Sequence, residues 1–187
     1  MQLISSPAKA WEEISTEDRQ KVMLDFVYPL IALAGLSVLI GVLVEVGWSK
    51  PENYQEAMTQ CCAVAVSLFG GFFLSAYLIN QTGMKLAGLR DNLPLAQQFT
   101  GYSLVVVFIL QIIYGILPDF LILVVLFSFY TIYIVWEGAD VLMHVDERNR
   151  LRYTIISSVI LLVCPWLIQI VFNKLTVMLN GCINRRM

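Results

Sequence analysis

The sequence predicts an all-α, polytopic membrane protein: a bundle of five transmembrane helices preceded by a short N-terminal interfacial helix. Three observations carry that prediction. Hydrophobic residues make up 58% of the 187-residue chain and charged residues only 14%, against roughly 45–50% and 25% in water-soluble domains. Mean hydropathy is +0.74. The apolar residues gather into five runs long enough to cross a bilayer, separated by polar connections that hold nearly all the charges. So much apolar surface has to face lipid, which makes the bilayer the first partner. A net charge of -2 does not point to nucleic acid.

The first 25 residues carry eight charges and no apolar core suited to a cleavable leader, so the opening is expected to belong to the working protein. Over residues 4–15, Ser6 can cap a helix and Pro7 fits its first turn. Ile4, Ala8, Trp11 and Ile14 share a face, with Lys9, Glu12 and Glu13 off it. That pattern suits a helix lying on the membrane with a Trp anchor, or one packed against the protein's own cytoplasmic loops. The first span is placed at Phe26–Val46, and Pro29 near its start should kink the helix or mark a wide first turn. A polar linker, Ser49–Ala57, leads to the second span, Met58–Ile79, where Ala63, Ser67, Gly71 and Ser75 recur every four residues. Small residues at that spacing form a groove for a closely approaching helix, read here as the packing seam of the bundle, with a homodimer seam as the alternative.

A polar connection over residues 80–99 precedes a hairpin of two short spans, Gly101–Leu117 and Phe120–Trp136, reversing at Pro118–Asp119. After the charged stretch 137–153, the fifth span occupies Thr154–Leu179 and is interrupted by Pro165. The organisation is thus a cytoplasmic helix and linker (1–25), a membrane domain (26–179) and a short tail (180–187). With five crossings, eight Lys and Arg residues lie on the side of the N-terminus and four on the other. The positive-inside bias puts the N-terminus in the cytoplasm and the C-terminus outside. Cys61, Cys62 and Cys182 then lie near the outer face, where a bridge from Cys182 to one of the pair can form. Without CxxC or Cys/His spacing, the four cysteines read as small apolar fillers and not as a zinc site.

Asp25-Phe26-Val27-Tyr28-Pro29 resembles the Asp-Leu-Tyr-Gly-Pro element that enters the first span of Yip-domain proteins (Ypt/Rab-interacting membrane proteins), with Tyr28 where the family has glycine. Thr100-Gly101-Tyr102-Ser103 resembles the family's Tyr-Gly-Tyr-Ser, departing at Thr100. The opening SPAKAWEEI, and the stretch from Tyr133 to Thr154, are similar to bacterial members. The resemblance covers nearly the whole chain and implies five spans, a cytoplasmic N-terminus and, for a bacterial member, residence in the inner (plasma) membrane. For eukaryotic members it implies binding of Rab-type GTPases and work in vesicle traffic or membrane shaping. It also marks Asp25, Pro29, Gly101 and Tyr102 as positions matched to the family motifs, for partner binding or for the kink and the packing of helices.

An ionisable group inside the membrane is a functional hypothesis by default. Here Asp25, Glu45, Asp119 and Glu137 fall at span ends, and the mid-span polar groups are the amides Gln111 and Gln169. If the fourth helix runs past Trp136, Glu137, Asp140 and His144 share a third of its circumference and offer two carboxylates and an imidazole to a divalent metal. The alternative makes Asp140–His144 and Asp146–Arg150 surface i,i+4 pairs. No nucleophile motif or phosphate loop occurs, and no cofactor is expected. The expected function is non-catalytic: binding a partner protein at the cytoplasmic loops 80–99 and 137–153, or shaping the membrane, with a homo-oligomer allowed by the small-residue seam. The alternatives are a small channel or transporter with Gln111 and Gln169 along a continuous cavity, and a metal-dependent membrane enzyme.

Overall fold

The computed structural model describes residues 7–15 and 23–184, and among these every regular element is a helix. Helix α1 is Pro7–Ser15. Helix α2 begins with a π-helical turn, Met23–Val27, and continues as an α-helix over Tyr28–Val46. Pro29 explains the widened turn: its ring would collide with the carbonyl four residues earlier, so the turn before it opens. Helix α3, Pro51–Ala87, has 37 residues and is about 55 Å long, well beyond a hydrocarbon core of roughly 30 Å.

Two expected connections are therefore helical. Pro51 starts α3 in place of the linker, because a proline in the first turn gives up only an orphan N–H. The stop comes at Gly88, which adopts φ 63°, and the Leu89 N–H donates to the Gly83 carbonyl at 3.2 Å. The connection 80–99 shrinks to the turn 88–92. Asn92 caps the next helix by accepting from the Leu95 N–H at 3.2 Å. Asn80, still on α3, donates to Asp91 Oδ1 at 2.7 Å and accepts from the Asn92 N–H at 3.2 Å, which pins the turn.

Helices α4 (Leu93–Ser103) and α5 (Val105–Ile116) follow, bent by 43° at Leu104. A 3₁₀ turn at Pro118–Phe120 reverses the chain into α6 (Leu121–Ser128) and α7 (Tyr130–Val141). Helix α8 runs Glu147–Asn184 with Pro165 inside it. The charged loop 137–153 accordingly reduces to residues 142–146. Among the described residues four helices are long and apolar enough to cross a membrane, and five with α4–α5 taken as one broken span. The Cys182 side chain lies outside the described residues, and with it the expected bridge; Cys61, Cys62 and Cys164 are free thiols.

The bundle is organised around α3, which packs against α8, α2 and α4, while α2 also packs against α5. Ala63, Ser67, Gly71 and Ser75 are all buried. A Cβ added at Gly71 would lie 2.7–2.9 Å from Pro165, so the glycine leaves the notch that receives the proline ring. Ser75 Oγ reaches the Ile160 carbonyl at 3.5 Å. By contrast, α6 has no buried residue and forms the loosest wall of the bundle.

Candidate functional site at the charged end of the bundle

Trp11 organises the end that carries the turns 88–92 and 142–146. Its ring is wholly buried, stacks on Phe99 with centroids 5.6 Å apart and meets the edge of Tyr102 at 6.1 Å. Its indole N–H donates to the Ile134 carbonyl at 3.1 Å, the partner a buried indole needs. Gly138 makes room for it, since a Cβ there would stand 2.6 Å from the indole and 2.9 Å from Phe99. Gln98, also buried, donates to the Ile14 carbonyl at 2.8 Å and ties the end of α1 to α4. The apolar face of α1 is therefore packed into the bundle between α4 and α7, and Trp11 is not a lipid anchor. Of the two readings of this helix, the geometry has the one packed on the protein.

The two family-like stretches meet here. A Cβ at Gly101 would lie 2.8 Å from Val27 Cγ2, so the glycine admits the π turn of α2. Phe26 packs on Tyr102 with centroids 5.1 Å apart. Asp25 and Pro29 are exposed on the same turn, whereas Gly101 is buried and Tyr102 half-buried. Within one knot the structure thus brings together α1, the start of α2, the end of α4 and the middle of α7.

Beside it, Arg150 latches α8 to α7. Its guanidinium lies over the Trp136 ring, 4.5 Å from the centroid. Nε and Nη2 donate to the Trp136 carbonyl at 3.3 and 3.0 Å, and Nη1 pairs with Asp140 Oδ2 at 3.0 Å. The carbonyl belongs to the turn before the last of α7, and the cation lies near the helix's C-terminal end, whose dipole it complements. Asp140 is thus engaged by Arg150 from the next helix. The shared-face premise for Glu137, Asp140 and His144 fails because α7 stops at Val141. His144 sits in the turn with φ 50°, exposed. Among the described residues no three His, Cys, Asp or Glu side chains gather as a metal-binding set. The expected Asp146–Arg150 side-chain pair gives way to a backbone contact, the Arg150 N–H donating to the Asp146 carbonyl at 3.0 Å.

Gln111 and Gln169 do come together. They line one cavity of about 310 Å³ between α3, α5, α6 and α8, with Ser67, Ser128 and Pro165 in its wall. On α8 its lining runs from Leu162 to Gln169, about 10 Å along the axis, roughly a third of the hydrocarbon thickness. It is a pocket within the membrane layer and falls short of a continuous path across it.

Sequence reasoning missed Phe99 and the notch at Gly138, and paired Arg150 with Asp146 in place of Trp136 and Asp140. Gly138 did carry a signal, as a glycine inside a helical run marks close approach; the pairing of Arg150 with a carbonyl fourteen residues earlier carried none.

The fold and its apolar spans define an integral, helical, polytopic membrane protein. Within that class the chain belongs to the Yip1 domain family, whose model matches residues 1–168. No curated protein and no solved structure matches the chain at a significant level.

Proposed function

We propose that this Yip1-domain protein acts without catalysis, as a membrane-embedded binding protein whose partner is another protein. The partner docks on the end formed by α1 and the turns 88–92 and 142–146. The observation that carries this reading is the convergence of α1 and both family-like stretches in one packed knot beside exposed charges of both signs. Arg90, Asp91, Asp146, Glu147, Arg148 and Arg152 are all exposed there, and interspersed charge gives an interface its register and selectivity. Family membership supports a non-catalytic membrane role. The knot fixes α1 against the bundle, so a partner meets a preformed surface and loses less ordering entropy on docking.

The test is photo-crosslinking in native membranes, with probes replacing Arg90 and Arg148, read by mass spectrometry. A recurrent protein adduct is expected at both positions. Adducts only to lipid and to other copies of the chain would replace this reading with self-assembly and membrane shaping.

The excess of Lys and Arg at this end supports a cytoplasmic placement in the inner membrane of a bacterial cell, with the C-terminus outside. In a cysteine-free background, an impermeant maleimide added to intact cells should label Lys50→Cys and leave Arg90→Cys unlabelled. The reverse pattern would invert the orientation.

A further inference from the structure

The cavity between α3, α5, α6 and α8 has the chemistry of a ligand site. Ser67 and Ser128 spend their hydroxyl protons on their own helices, donating to the Val64 and Val124 carbonyls at 2.8 and 2.7 Å. The Gln111 and Gln169 carboxamides make no hydrogen bond among the described residues. Each offers two donors and an acceptor. Gln111 lies seven residues before Pro118 on α5, about 10 Å inside the hairpin reversal. At that depth there is no bulk water to satisfy an amide, so two of them aimed into one pocket call for a guest with polar groups of its own.

The walls define the guest further. No side chain lining the cavity is ionisable. A phosphate or ammonium head would have to leave the interface for a site that offers no countercharge, whereas a hydroxyl or ester carbonyl can descend to it. The cavity's rim includes Val125, Phe129 and Trp166, which are 53%, 57% and 61% exposed. All three lie within apolar spans, so the guest enters sideways from the acyl-chain region. A volume of about 310 Å³ is at the lower limit of ligand pockets and takes a head group with the first part of a chain, the rest lying along α6.

We propose that this cavity binds a neutral lipid bearing hydroxyl and ester groups, of the acylglycerol class, with Gln111 and Gln169 reading its head. The experiment uses the full chain in phosphatidylcholine nanodiscs and a diacylglycerol carrying a diazirine in one acyl chain. A phosphatidylglycerol with the same acyl chain runs in parallel, and crosslinked peptides are read by mass spectrometry.

The neutral probe should label segments 107–111, 124–129 and 162–169, be displaced by dioleoylglycerol, and outlabel the anionic probe. Losing two neutral hydrogen bonds in the double variant Gln111→Leu/Gln169→Leu should lower labelling by about tenfold. Val125→Trp, a change at a lipid-exposed rim position that burdens no packing, should also lower it by blocking entry. It decides the matter should the double variant misfold. Equal labelling by the anionic probe, labelling unchanged in Val125→Trp, or crosslinks between two copies at these positions would overturn the proposal. Modification of Gln111→Cys and Gln169→Cys by an impermeant aqueous thiol reagent would overturn it too, in favour of a water-filled path.

Discussion

Among the described glycines, the tightest approach of a neighbouring backbone is between α2 and α5, and a single methyl group tests how far it matters. A Cβ built at Gly41 overlaps the Gly115 carbonyl oxygen and lies 2.9 Å from its carbon and 3.4 Å from Ile116 Cα. From the other side, a Cβ at Gly115 overlaps Ser37 Oγ and lies 2.8 Å from the Val38 nitrogen. In Gly41→Ala the obstacle is helix backbone, which cannot rotate aside as a side chain can. The two helices must separate by on the order of 1 Å, a gap that forfeits a quarter to a half of the dispersion well for the atoms along it. Overpacking of this kind costs about 1–3 kcal/mol, offset by up to ~1 kcal/mol of helix propensity. With backbone as the obstacle the upper half of that range applies, and the net destabilisation should be about 2 kcal/mol. Gly35→Ala on the same helix is the matched control. Its Cβ would meet Ala65 Cβ and Cys61 Sγ at 3.5 Å, ordinary contact, so it should be neutral or stabilising by up to ~1 kcal/mol. Equilibrium unfolding in mixed micelles, followed by circular dichroism, compares the two. Equal stability of Gly41→Ala and Gly35→Ala, within about 0.5 kcal/mol, would refute the steric argument.

The same reasoning gives three further expectations. Trp11→Phe keeps a ring on Phe99 but removes the indole N–H bond to the Ile134 carbonyl and leaves the notch at Gly138 part empty, at a cost of about 1–3 kcal/mol; limited proteolysis should cut the segment around α1 faster than in the wild type. Asp140→Asn should change stability by less than ~1 kcal/mol, because that carboxylate is 55% exposed. Arg150→Ala should cost clearly more by removing both bonds to the Trp136 carbonyl and the contact with its ring, and hydrogen exchange at residues 142–146 should rise only in this variant. Gly71→Ala should destabilise the bundle more than Gly70→Ala, since the first meets the Pro165 backbone at 2.7 Å and the second only the flexible tip of Ile168 at 3.1 Å; thermal denaturation in detergent ranks the pair.

How much of this was legible in the sequence depends on the range of the interaction. Membrane class and the number of spans follow from long apolar runs, a local property that lipid enforces on every segment alike. Helix ends were read less well. The polar residues flanking the second span, 51–57 and 80–87, look like connections, yet they continue one helix out of the bilayer because nothing before Gly88 stops it. Polarity marks where the membrane ends; it does not mark where a helix ends. The knot was legible only in fragments. Gly101 and Tyr102 stood out through the family motif and Trp11 through its amphipathic helix, but their meeting is tertiary. An indole that can snorkel to the interface and one that can fill a notch at Gly138 have the same local sequence. The metal reading failed for a similar reason, as the turn at Leu142–Asp146 moves His144 off the face that periodicity assigned to it.

The distribution of polarity in the folded chain links the two proposed binding surfaces. Among the described residues every buried polar side chain is a hydroxyl or an amide: Ser67, Ser75, Asn80, Gln98, Thr100, Ser103 and their like. Among the same residues no carboxylate, ammonium, guanidinium or imidazole is buried. Several hydroxyls, on Thr100, Ser103, Thr131 and Ser158 among others, have no partner among the described residues, a cost tolerable for a hydroxyl and prohibitive for a charge. An interior of this kind discriminates by hydrogen bonding and shape, and its natural guest is neutral. Charge is reserved for the ends, where solvent screens it and where a protein partner can be selected by complementarity. The close packing at Trp11, Gly138 and Gly101 lies at the charged end, and α6, which buries no residue, borders the uncharged cavity. A guest in the cavity would therefore act first on α6 and the α7 that continues it. Two elements touch both surfaces: α3 lines the cavity with Ser67 and Leu68 and holds the turn 88–92 through Asn80, and α8 lines it from Leu162 to Gln169 and begins in the docking surface at Glu147 and Arg148.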